Sequence, residues 1–295
     1  MLIRAGYDIA FDCPAPTPMI LMLSIRPERV HDLVTPQIVT ASPGVRLRAY
    51  RDSFGNACHR LIAPAGRVSF SADFLIRDSG LPDEIATQAI QHPVDELPDE
   101  TLVYLLGSRY CDTEALADIA WPLFGAVQPG WPRVQAIADY VHERLSFGYH
   151  NARPTRTAAE AHQEQVGVCR DFAHLAIALC RCMNIPARYC TGYLGDIRVP
   201  ALPPPMDFSA WFEVFLGGRW RTFDARHNAP RIGRTLMARG RDATDAAITT
   251  AFGRADLAAF NVVTEEVAEI ETSQAEAPDW RAEPPPESAQ LGLAG

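Results

Sequence analysis

The chain has 295 residues with 47% hydrophobic and 21% charged side chains, ordinary values for a globular protein long enough to build two packed domains. No apolar run approaches the roughly 20 residues that a membrane-spanning helix needs, so no membrane role is expected. Net charge is −9, but eight acidic residues against one basic one, Arg281, fall between Glu265 and the end, so the rest is near neutral and no nucleic-acid partner is expected.

The first 90 residues read as strands. Ile3, Ala5, Tyr7, Ile9 and Phe11 alternate with outward positions, Met19 to Leu23 is a continuous apolar run, and Val68, Phe70, Ala72, Phe74 and Ile76 alternate with polar residues. A turn at Asp52-Ser53-Phe54-Gly55-Asn56 closes a hairpin. This pattern predicts an N-terminal antiparallel β-sandwich domain over 1–90. Residues 91–130, opening with Pro93 and Pro98, form a connecting helical segment.

A helix then starts at Pro132, with its proline at the favoured first position and apolar residues at Val134, Ile137, Ala138, Val141 and Leu145. The run Gly167-Val168-Cys169-Arg170-Asp171-Phe172-Ala173-His174-Leu175 opens a second, strongly amphipathic helix. Cys169 therefore lies at a helix N-terminus, where free N–H groups and the helix dipole are expected to favour its thiolate. The alternative is a small buried residue at a helix start. Residues 187–194, 210–216 and 219–223 read as strands, the last two joined at Gly217-Gly218. The result is an α+β core over 131–263, with helices packed on an antiparallel sheet. The acidic, proline-containing stretch 264–295 is expected to be a disordered tail.

The order of these pieces resembles the transglutaminase-like (papain-like) core. The matching residues are Phe147-Gly148-Tyr149, the run from Gly167 to Leu175, Ile185 to Tyr189, Gly192-Tyr193, Ala210-Trp211-Phe212-Glu213-Val214 and Thr222-Phe223-Asp224. The first 90 residues likewise look like the β domain that accompanies this core in bacteria. The resemblance implies a Cys–His–Asp triad with Cys169 as nucleophile and Asp224 as orienting carboxylate. Where that family carries the histidine, directly before Ala-Trp, this chain has Ser209. A serine hydroxyl neither titrates near neutral pH nor hands a proton to a leaving amine.

Period two sets Ser209, Trp211, Glu213 and Phe215 on one strand face, expected to let Ser209 face Cys169. His227, three residues past Asp224, and His150 are the candidates for a replacement imidazole; His174, about 140° around the helix from Cys169, reads as structural. Gln163 or Gln165 is the expected side-chain donor to an oxyanion, beside the Cys169 N–H. Cys180 and Cys182 lie about 200° apart on their helix and no histidine pair has ligand spacing, so neither metal nor cofactor is expected. Seven cysteines without a framework spacing, and no basic-then-apolar leader, point to the cytoplasm. Two functions stay open: a thiol acyl-transfer enzyme, peptidase or amidase acting on a peptide or protein amide, or a binding or scaffold protein on a retired enzyme fold. Nothing in the sequence sets an oligomeric state.

Overall fold

The computed structural model describes residues 1–200 and 206–268. Its first part contains strands β1 (Leu2–Cys13), β2 (Thr17–Leu21), β3 (Thr40–Ser42), β4 (Arg48–Arg51), β5 (Ala57–Ala63) and β6 (Gly66–Arg77). Helices α1 (Asp99–Leu102), α2 (Thr113–Phe124) and α3 (Trp131–Arg144) follow, then β7 (Ser146–Phe147), α4 (Ala158–Glu164), β8 (Val166–Gly167) and α5 (Cys169–Cys182). The remaining strands are β9 (Ala187–Tyr193), β10 (Ser209–Leu216), β11 (Arg219–Phe223), β12 (Thr235–Gly240), β13 (Thr249–Ala251) and β14 (Asp256–Val267).

Two four-stranded antiparallel sheets, β14-β1-β6-β3 and β13-β2-β5-β4, share one apolar core built from the alternating residues Ile3, Tyr7, Phe70, Phe74, Met19 and Leu21. The sandwich expected from the period-two pattern is therefore present. Its membership corrects the expected boundaries. β13 pairs with β2, and β14 pairs with β1 from Leu2↔Val267 to Asp12↔Asp256, so the chain returns to its first domain instead of ending in the core. Residues 264–267, expected in the tail, complete β14; the rest of that expected tail, from 269, lies outside the described residues.

The core sheet has the order β11-β10-β9-β12, with α5 laid across it. Ala210, Phe212, Val214 and Leu216 share a buried cluster with Phe172, Leu175, Ala176 and Leu179 of α5 and with Val134, Ile137 and Val141 of α3. The β10–β11 turn holds both glycines at positive φ, +59° at Gly217 and +78° at Gly218, as a tight hairpin requires. Among the described residues no helix is long and apolar enough to cross a membrane.

Candidate active site

Cys169 is held by the way α5 begins. Asp171 folds back so that its carboxylate accepts the Val168 N–H at 2.9 Å, an N-terminal cap made by the third helical residue. It also accepts from the Arg156 guanidinium at 3.0 Å and pairs with Arg170 at 3.6 Å, and the Asp171 side chain has no exposed surface. Arg156 is anchored in turn by Glu164 at 3.0 Å and the Asn151 carbonyl at 2.6 Å. Only glycine fits at 167, because a Cβ there would lie 2.7 Å from that of Asp171. This ties Gly167 to Cys169 in physical terms.

Cys169 is half-buried against the core cluster, with the Ala210 backbone N–H pointing at its sulfur and the charges of Asp207, Arg226 and Asp224 acting on it. Burial, then Asp207, push the thiol up to about 11; Arg226 and the Ala210 N–H offset part of this. The expectation that the helix N-terminus favours thiolate is thus overturned. Desolvation and two nearby carboxylates outweigh the dipole, whose first turn already carries Asp171. Asp207 is itself pushed up to about 6 by burial. The rim is aromatic: Phe147 and Tyr149 meet edge to face at 5.2 Å, and the Arg226 guanidinium lies 3.8 Å from the Phe147 ring centre.

Asp224 follows β11, and its side chain is 2% exposed. One carboxylate oxygen accepts the backbone N–H groups of Arg226 and His227, both at 3.0 Å. The other contacts His227 Nδ1 at 2.8 Å and accepts from Arg234 at 2.9 Å. Burial alone would raise this carboxyl; Arg234, then His227, hold it well below the usual carboxylate range. Helix α3 fixes the turn from behind. Asp139 accepts from Asn228 at 2.8 Å, Gln135 donates to Asn228 at 3.1 Å, and His142 Nδ1 lies 3.0 Å from the Arg226 carbonyl.

Ser209 is buried but does not join this group. Its row includes Trp211 and Glu213 as the alternation requires, yet that row lies on the sheet face opposite the α5 core, where Trp211 packs with Cys190 and Leu236. The Ser209 hydroxyl has no hydrogen-bond partner. This corrects the expectation that Ser209 faces Cys169: its strand offers the sulfur the Ala210 N–H instead. Gln163 and Gln165 are exposed, Gln165 forming the left-handed end of α4 at φ 58°, so neither has the buried setting of an oxyanion donor. His150 is exposed as well. His174 is fully buried, accepts the Ala243 N–H at 3.1 Å and stacks on Tyr110 at 5.1 Å; burial drives its pKa down to about 3. Sequence reasoning missed Arg226 and Arg234, which no local pattern marks as site residues.

A half-buried cysteine at the start of a helix, packed on an antiparallel sheet whose next strand is followed by an imidazole-bound aspartate, points to the class: residues 119–225 match the transglutaminase-like superfamily, and the chain carries a transglutaminase-like domain. An uncharacterised protein of Mycobacterium leprae is 30% identical over 117 residues, 39% of this chain and 42% of that protein, so the match spans under half of this relative's length. The solved structure of a candidate cysteine protease from Cytophaga hutchinsonii is similar over 90% of this chain and 90% of its own, with 29% identity and a TM-score of 0.78.

Proposed function

We propose that this protein is a thiol acyl-transfer enzyme, a peptidase, amidase or transglutaminase-type acyltransferase, acting on a peptide or protein amide. Cys169 is the nucleophile, His227 the general base and acid, and Asp224 the group that orients the imidazole. The observation that carries this reading is the 2.8 Å contact between His227 Nδ1 and the Asp224 carboxylate. It fixes the tautomer in which Nε2 is free to take a proton, the arrangement a triad needs. A thiol pushed up to about 11 does not ionise by itself at neutral pH, so turnover depends on that base.

In the first half-reaction His227 takes the thiol proton while sulfur attacks the amide carbon. The C–N bond then breaks, the leaving amine takes the proton from the imidazolium, and a thioester remains on Cys169. Water or a second amine attacks the thioester, giving hydrolysis or amine transfer. All seven cysteines are free, which supports a reducing compartment.

One observation favours a second reading, a retired enzyme that binds without turnover: the family's histidine position holds a buried serine without a hydrogen bond. Assays over peptide, amide and amine-acceptor panels separate the two. The enzyme reading expects wild-type activity, its loss in Cys169→Ala, and a fall of about 10³-fold or more in His227→Ala, as for other triads. A wild type inert across the panel leaves the binding role.

A further inference from the structure

Behind Asp224, on the sheet face away from α5, lies a buried charge relay that reaches the link between the two domains. Asp83 belongs to that link, held by a two-residue bridge: Pro82 pairs with Ile232, the Asp83 N–H donates to the Arg231 carbonyl at 2.9 Å, and the Arg231 N–H donates to Asp83 at 2.9 Å. Arg234 Nε donates to both Asp83 oxygens, at 3.0 and 2.8 Å, while its other arm donates to Asp224 at 2.9 Å. Its guanidinium lies 5.0 Å from the Trp211 ring centre. Side-chain exposure is 8% for Arg234, 17% for Asp83 and 2% for Asp224, so water screens this chain of charges poorly.

We propose that Arg234 and Asp83 are positioning residues for the site: Arg234 keeps Asp224 ionised and turned to His227, and Asp83 cancels the charge of Arg234 so that the carboxylate still holds a protonated imidazole. The inference rests on the reading of His227 as the working base. Its physical content is a charge count. Asp83, Arg234 and Asp224 sum to −1, which His227 neutralises on taking the thiol proton. Without Asp83, Arg234 alone would satisfy Asp224 and the imidazolium would lose its counter-charge. Without Arg234, two buried carboxylates would bear on one imidazole and overbind the proton.

The other charged groups around His227 are unchanged by these substitutions. They are Arg226 in its own turn, Cys169 at the start of α5, Asp207 ahead of β10, Arg231 beside Arg234, and Asp139 and His142 on α3.

The test is an NMR titration of the His227 ring in the full chain, assigned by comparison with His227→Gln. Arg234→Gln is expected to make His227 bind its proton about tenfold more tightly, Asp83→Asn about threefold or more weakly, and Arg234→Lys to stay near wild type, opposite-sign responses that simple loosening of the loop would not produce. If turnover is found, the acid limb of kcat/KM moves in the same two directions. Shifts of the same sign in Arg234→Gln and Asp83→Asn, or shifts under twofold in folded variants, overturn the inference. If Arg234→Gln does not fold, Asp83→Asn decides, and tighter or unchanged proton binding overturns it. An inert wild type that shows both shifts removes the turnover reading and keeps the positioning role; an active wild type that shows neither does the reverse.

Discussion

Cys169 has its proton held in place by burial first and by the nearby Asp207 carboxylate second. With the thiol pushed up to about 11, little of it is thiolate at neutral pH. Alkylation by iodoacetamide should therefore be slow at pH 7 and climb about tenfold per pH step toward 11. Asp207 is the strongest charge on this thiol, so Asp207→Asn should speed labelling of Cys169 at pH 8 by about tenfold, read as the rate of mass gain on the tryptic peptide. An unchanged rate would show that the Asp207 carboxylate does not bear on the sulfur. Because Asp207 is itself pushed up to about 6, it loses its charge as pH falls through that value and the thiolate is penalised less below it. A cationic substrate group beside Asp207 would act in the same sense.

The start of α5 depends on Asp171 more than on helix propensity. That side chain caps the Val168 N–H and pairs with Arg156, while Gly167 clears the space for it. Asp171→Ala removes one of the two carboxylates that hold the Arg156 guanidinium, 5% exposed, and leaves it Glu164 and the Asn151 carbonyl. The expected cost is about 1.5 to 3 kcal/mol of unfolding free energy, the range for losing a hydrogen bond to a charged group. A urea midpoint within error of wild type would show that the pair contributes nothing net. Helix α4 is anchored nearby by a capping box, with the Glu160 N–H donating to the Thr157 hydroxyl at 3.3 Å and the Thr157 N–H donating to the Glu160 carboxylate at 3.0 Å.

At the scale of the molecule, the two domains are interleaved by chain path. β14 runs the full length of β1, and Asn56, fully buried, accepts the Arg239 N–H at 2.9 Å and donates to the Arg239 carbonyl at 2.8 Å across the domain junction. Deleting residues 256–295 should therefore expose the edge of β1 and abolish cooperative folding of the sandwich, whereas deleting 269–295 should move Tm by less than about 4 °C. Thermal melts of the two truncations check both outcomes. A short truncation that lowers Tm further would mean that the acidic segment docks on the folded body.

What the sequence by itself determined was whatever depends on near neighbours. Alternation placed β1 and β6, the glycine pair placed the β10–β11 hairpin, and the 3.6-residue stripe placed the start of α5 at Cys169. The family resemblance also marked Cys169 and Asp224, since their motifs are local. The remainder was decided by tertiary structure, because the relevant partners are far apart in the chain. β14 joins the first sheet across more than two hundred residues, Arg234 meets Asp83 from 151 positions away, and the face of β10 that Ser209 occupies follows from which side α5 covers. The thiol's proton affinity belongs to the same class: helix position argued for thiolate, but burial and the convergence of Asp207 and Asp224 reversed it, and no local pattern records how much water a folded chain removes.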